Sequence, residues 1–166
     1  ANGIVLQNNN ARTWVAAHLH FEPRVLHVHT GASVPLSVVA TDSAYYAAEM
    51  PEEPVFIPYG GKEGTIAGNL FTAGAESGDA YIQATSGAAA GIGKVIIVDS
   101  IDSFALNYES ISALPGESYT IVPTATVDGY PVNVNATSFT YSVTDEVGTI
   151  SESGVYTPAE AVGKTG

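Results

Sequence analysis

GTIAGNLFTA, Gly64 to Ala73, returns later in the chain as GTISESGVYTP, Gly148 to Pro158. The tripeptide Gly64-Thr65-Ile66 matches Gly148-Thr149-Ile150, and after a one-residue gap Phe71-Thr72 matches Tyr156-Thr157. Outward from this pair, a shift of 85 residues keeps apolar residues on apolar residues and turn residues on turn residues. Leu19 and Phe21 meet Phe104 and Leu106; Leu26 and Val28 meet Ile111 and Ala113. Gly31 and Ser33 meet Gly116 and Ser118; Leu36, Ala40 and Thr41 meet Ile121, Ala125 and Thr126. Such self-similarity means two copies of one supersecondary unit in series.

The unit reads as β-strands. Thr13 to Phe21 alternates, with Val15, Ala17, Leu19 and Phe21 on one face. Ser33 to Thr41 is a second run, Gly78 to Ser86 a third and Lys94 to Val98 a fourth. Val55 to Tyr59 lies between Pro54 and Pro58, which suits an edge strand or a strand end. Only Ser43 to Met50 could hold a helical turn, and the Gly-rich stretch Ser86 to Gly93 reads as a flexible hairpin loop. The 17 Gly and 9 Pro fall between the runs as punctuation. Short strands with closely spaced turns predict an all-β chain of two tandem Ig-like β-sandwiches.

The predicted division is an N-terminal segment 1–12, a first sandwich 13–100 and a second sandwich 101–166. The first copy ends with the strand runs Gly78–Ser86 and Lys94–Val98. Their counterparts lie past Gly166, so the second sandwich is expected to lack its last strands. Open strand edges and bare apolar faces are unfavourable. Two readings follow: the parent polypeptide continues, or another chain donates the missing strand. Asn2, Gly3, Ile4, Val5 and Leu6 form the candidate donor.

Residues of the second copy carry a resemblance. They are Leu114 to Tyr119 (LPGESY), Phe139 to Val143 (FTYSV), Val147 to Ile150 (VGTI) and Gly154 to Pro158 (GVYTP). This pattern resembles the bacterial Ig-like domain, group 2, with Tyr141 where many members carry Trp. The first copy matches in Gly64-Thr65-Ile66 and in Leu70 to Gly74. The resemblance implies secreted spacer and adhesive modules without catalytic residues. Ala1 to Leu6 (ANGIVL) is similar to the closing strand of phosphodiester glycosidase catalytic domains, whose catalytic positions would lie upstream of Ala1.

Composition sets further bounds. The 166 residues are 45% hydrophobic and 13% charged, which provides for a core and argues against a disordered chain. A net charge of −12 repels phosphate backbones, so nucleic acid is not an expected partner. No cysteine means no disulfide, no thiolate zinc site and no thiol nucleophile. No apolar run is long enough to span a membrane as a helix, and no basic-then-apolar opening marks a signal peptide. Ala1 as first residue reads as a processed or excised piece. Few Lys with many Thr, Ser, Val, Gly and Tyr point to an extracellular or cell-surface location.

Four groups of side chains could carry chemistry. His18 and His20, and His27 and His29, are spaced i, i+2 and project from one strand face, a spacing that chelates zinc, copper or nickel. The two pairs are expected to run consecutively along one sheet edge, so the four rings need not converge. Asp99, Asp102, Asp145 and Glu146 lie near the joint and turns, where carboxylates can hold calcium, although no EF-hand loop is present. Calcium and adventitious zinc or nickel are therefore the only ions considered, and no cofactor is implied. Tyr45, Tyr46, Tyr59 and Tyr130 fall near turns and could stack on sugar rings, whereas Tyr81, Tyr119, Tyr141 and Tyr156 are expected in the core. No G-x-S-x-G elbow exists, and adjacent Glu52 and Glu53 point to opposite faces of a strand.

The sequence thus predicts a non-catalytic spacer, adhesion or interaction module of a secreted bacterial protein, with a protein or a cell-surface glycan as partner. Two alternatives stand beside it. One is a self-assembling subunit, a homo-oligomer completed by strand donation. The other is a glycan-binding module C-terminal to a phosphodiester glycosidase.

Overall fold

The computed structural model describes residues 14–135, 138–144 and 147–160. It is an all-β sandwich fold. Strands β1 (His18–Phe21), β2 (Val25–His29), β3 (Ser33–Pro35), β4 (Val38–Thr41) and β5 (Ala47–Ala48) come first. Next are β6 (Val55–Gly61), β7 (Gly64–Ala67), β8 (Leu70–Ala73), β9 (Gly78–Ser86) and β10 (Ala89–Val98). One sheet runs β5-β4-β1-β10-β9-β6, with β2 also on β10, and a three-stranded sheet β3-β8-β7 faces it. Strands β2, β10, β9 and β6 lie on one side of the sandwich and β3, β8 and β7 on the other.

The core lies between these sheets. Phe71 and Val34 from the small sheet meet Leu19, Phe21, Ile82, Val95 and Ile97 from the large one. All are nearly inaccessible to water, and burying each large apolar side chain contributes about 1.5–3 kcal/mol.

Several local expectations change. Val15 is 76% exposed and Ala16 is buried, because the ladder begins only at His18 and the alternation does not reach back to Val15. Ser33 to Thr41 is not one strand. Pro35 lacks an N–H, and the chain crosses there from the small sheet (β3) to the large one (β4). Strand β6 is the sheet edge, as its prolines suggested, but it passes Pro58 through a register shift and continues to Gly61. Ser43 to Met50 forms no helix. One carboxylate oxygen of Asp42 accepts from Ala44 N–H at 2.8 Å and Tyr46 N–H at 2.9 Å, and Tyr45 sits at φ 64°, which ends any helical path. Ser86 to Gly93 is not a loop: the turn is Gly87-Ala88, and Ala89 to Gly93 already belongs to β10. Tyr81 is 38% exposed, because alternation along β9 turns Ala80, Ile82 and Ala84 inward instead.

Six more strands follow: β11 (Ser103–Leu106), β12 (Tyr119–Thr120), β13 (Pro123–Val127), β14 (Tyr130–Val132), β15 (Gly148–Ile150) and β16 (Val155–Pro158). They form two three-stranded sheets, β11-β13-β14 and β12-β16-β15. The repeat reappears here bond for bond. His18 pairs with Thr41, Leu19 with Ala40 and Phe21 with Val38; 85 residues on, Ser103 pairs with Thr126, Phe104 with Ala125 and Leu106 with Pro123. Leu36 N–H donates to Asn69 O at 2.7 Å, and Ile121 N–H to Gly154 O at 2.8 Å. Even the cross-strand hydroxyl pair Ser33–Thr72 (2.8 Å) recurs as Ser118–Thr157 (3.4 Å).

Candidate functional site

The four histidines lie in two pairs on consecutive strands, but the expected shared edge fails for the first, because β1 is flanked by β4 as well as β10. Strand β1 and strand β2 both run parallel to β10, one after the other, separated by Glu22 to Arg24. His18 and His20 have ring centroids 6.4 Å apart. His20 Nε2 lies 2.8 Å from the Thr41 hydroxyl, and His29 Nδ1 lies 3.2 Å from Thr30 O. The pairs do not converge, and among the described residues no three His, Cys, Asp or Glu side chains gather as a metal-binding group.

Sequence reasoning missed what surrounds the first pair. Tyr45 stacks flat on His18, with centroids 4.9 Å apart and planes at 9°, and lies 5.9 Å from His20. Trp14 and Tyr46 pack on each other, with ring centroids 5.4 Å apart. Tyr45 and Tyr46 are more than half exposed. The outcome is an aromatic face of Trp14, His18, His20, Tyr45 and Tyr46 over β1 and β4. Strand pairing supplies the explanation: β1 pairs with β4, and the Asp42 turn folds the tyrosines back over β1.

Asp42 is the anchor of that face, since it is buried and accepts two backbone N–H groups. Asp42→Ala leaves those donors without their partner and releases the left-handed Tyr45. A loss of about 1–3 kcal/mol is expected in urea unfolding. The Tyr45 ring resonances should also lose the upfield shift that His18 imposes.

The other two tyrosines sit elsewhere. Tyr59 is exposed at the register shift of edge strand β6. Tyr130 stacks on His27, with centroids 5.0 Å apart and planes at 8°. This contact belongs to a joint between the two halves. His29 N–H donates to Asn133 O at 2.8 Å, Asn133 N–H donates to His27 O at 3.0 Å, and Asn135 Nδ2 donates to Gly31 O at 3.0 Å. Tyr130→Ala removes the stack and leaves the backbone bonds. It should weaken the joint by about 0.5–1.5 kcal/mol, seen as faster amide exchange at His29 and Asn133 with no change at Ile82.

The joint carboxylates have ordinary partners. Asp99 accepts from the Ser77 hydroxyl at 2.9 Å, and Asp102 accepts from Asp128 N–H at 2.8 Å. Asp145 and Glu146 lie outside the described residues, as do the donor candidates Asn2, Gly3, Ile4, Val5 and Leu6. Two surface ion pairs trim the first half. Asp79, bonded to Lys94 at 2.7 Å, holds its ammonium pKa above the usual value, and Lys62 holds the Glu76 carboxyl below its own. The first contribution is lost as pH rises through the raised lysine value, the second as pH falls through the lowered carboxyl value. Both pairs are solvent-exposed and contribute little.

A cleft of about 780 Å³ lies in the second half. Its walls include Phe104, Leu106, Ile121, Tyr141, Ile150 and Tyr156. Shifted back, these are the positions of Leu19, Phe21, Leu36, Phe56, Ile66 and Phe71, with one residue of slip at Ile150. All but the half-buried Ile66 are buried core residues of the first half. Phe104 is 59% exposed where Leu19 is 3% exposed. Tyr141 and Tyr156, expected in a core, therefore line an open trough. Among the described residues, 110–114 and 140–144 form no strand where the first half has β2 and β6.

No family model matches the chain, and no curated protein matches it. Among solved structures it is similar to domains 5-6 of the S-layer protein SbsC. The identity is 12% and the TM-score 0.45, over 90% of this chain and 86% of that chain. It is also similar to a piece of the surface layer protein SbsC holding domains 4-9. There the identity is 13% and the TM-score 0.45, over 73% of this chain and 21% of that one. Neither likeness carries a function across. Among the described residues no helix is long and apolar enough to cross a membrane.

Proposed function

We propose that the chain is a non-catalytic, Ig-like spacer or interaction module of a secreted bacterial surface protein, one part of a series of like sandwiches. The observation that supports this is the repeat. A shift of 85 residues reproduces strand pairing, turn hydrogen bonds and a hydroxyl pair. Series of this kind extend reach by adding units, each folding on its own contacts. The acidic, lysine-poor surface agrees with life outside the cell. The test is antibody labelling of intact cells that express the parent protein. Labelling without permeabilisation is expected, and labelling only after lysis overturns the reading.

The aromatic face favours a second reading, glycan binding. Trp14 with Tyr46, and Tyr45 with His18, offer neighbouring rings at one surface. On this reading, electrophoresis through gels containing soluble cell-wall polysaccharide retards the chain, and the double change Tyr45→Ala, Tyr46→Ala restores free mobility. Free mobility of the unaltered chain in every such gel rejects it.

A further inference from the structure

The first half displays what its own second half leaves bare. Strand β1 has β4 on one side and β10 on the other, and β10 pairs in turn with β9. The inward side chains of that hairpin, Ala80, Ile82, Ala84, Val95 and Ile97, fill the sandwich. Strand β11 has β13 on one side and, among the described residues, ends its sheet on the other. The free edge and the 780 Å³ cleft adjoin, since Phe104 and Leu106 belong to both.

We infer that this cleft is a docking site for a two-stranded antiparallel β-hairpin of the β9–β10 kind, one strand of which runs parallel to β11 and completes the sandwich by strand addition. The inference rests on the repeat and not on the surface location proposed above.

The repeat also specifies the occupant's chemistry. In β10 a Cβ at Gly91 would strike the carbonyl of Leu19, and a Cβ at Gly93 would meet the ring of Phe21 at 2.5 Å. Glycines two apart thus let the strand lie against β1 and over a large ring. Phe104 and Leu106 present the same two positions, the first with the same backbone carbonyl and the second with Leu in place of the Phe21 ring. An occupant needs glycine where it crosses the Phe104 backbone, then alternating small and aliphatic residues to reach Ile121 and Tyr156. An amphipathic helix fails this requirement, because its backbone cannot pair with the β11 edge. A lone strand pairs with β11 but leaves the space that β9 fills in the first half.

The probe is a synthetic peptide of residues 78–98, the chain's own β9–β10 hairpin, added in excess to the intact chain. Hydrogen exchange at Ser103 to Leu106 and Val155 to Thr157 is expected to slow at least about tenfold on addition, with Ile82 and Ile97 unchanged. A peptide carrying Gly91→Val and Gly93→Val is expected to lose at least about tenfold in affinity. No protection, or equal protection by the valine peptide, overturns the inference. So does a dimer in light scattering that disappears on deleting residues 1–13, because a second copy's N-terminal segment would then be the occupant.

Discussion

Phe71→Ala is expected to lower the stability of the first half by about 3–5 kcal/mol, while Tyr156→Ala at the matching position leaves that half unchanged. Phe71 is 2% exposed and touches both sheets, so truncation removes its transfer free energy and leaves a cavity. Tyr156 stands on the same strand position, between Ile150 and Tyr119 where Phe71 has Ile66 and Val34, yet it is only half buried and faces the open cleft. Its hydroxyl donates to Val147 O at 2.8 Å, so losing it costs about 0.5–1.5 kcal/mol locally. Trp14, the one tryptophan, lies in the first half and packs on Tyr46. Its fluorescence during urea unfolding therefore reports that half. The midpoint should fall sharply for Phe71→Ala and stay within about 0.5 kcal/mol of the parent for Tyr156→Ala. Equal effects at the two positions would mean that the second half packs a closed core in solution.

That contrast shows what the residues disclose and what they do not. The spacing of 85 is legible because identical turns and pairing demand similar residues: small at Gly31 and Gly116, apolar at Phe71 and Tyr156. Alternation then places β9 and the last part of β10 correctly. Burial is a different matter, since Phe104 and Leu19 look alike in sequence and differ from 59% to 3% in exposure. Exposure depends on which strand lies alongside, and local pattern does not carry that. The aromatic face was hidden for the same reason. Tyr45 and His18 are far apart in the chain and meet only through the β1–β4 pairing and the Asp42 turn. The consecutive run of the two histidine strands along β10 follows from chain order, whereas the pairing of β1 with β4, which takes His18 and His20 off the sheet edge, does not.

Gly91→Ala is the second large effect, about 3 kcal/mol of destabilisation from one methyl group. In loops, glycine supplies left-handed backbone; Gly91 instead lies in extended β10, paired with Ala84. The added Cβ would occupy the space of the Leu19 carbonyl oxygen, which is backbone and cannot swing away as a side-chain tip could. Strand β1 must then move off β10, opening the parallel contact at His18–Ala90 and shifting Leu19 and Phe21 out of the core. Overpacking at a site that cannot yield typically costs 1–3 kcal/mol, and here a strand pairing is lost as well. Gly60 is the control. It also lies in a strand, and nothing stands within 4 Å of a Cβ built there. Gly60→Ala should change stability by less than about 0.5 kcal/mol. Thermal unfolding followed by Trp14 fluorescence separates the two. If Gly91→Ala matched Gly60→Ala, β1 would not be held against β10, and the seven-stranded sheet would be divided at that pairing.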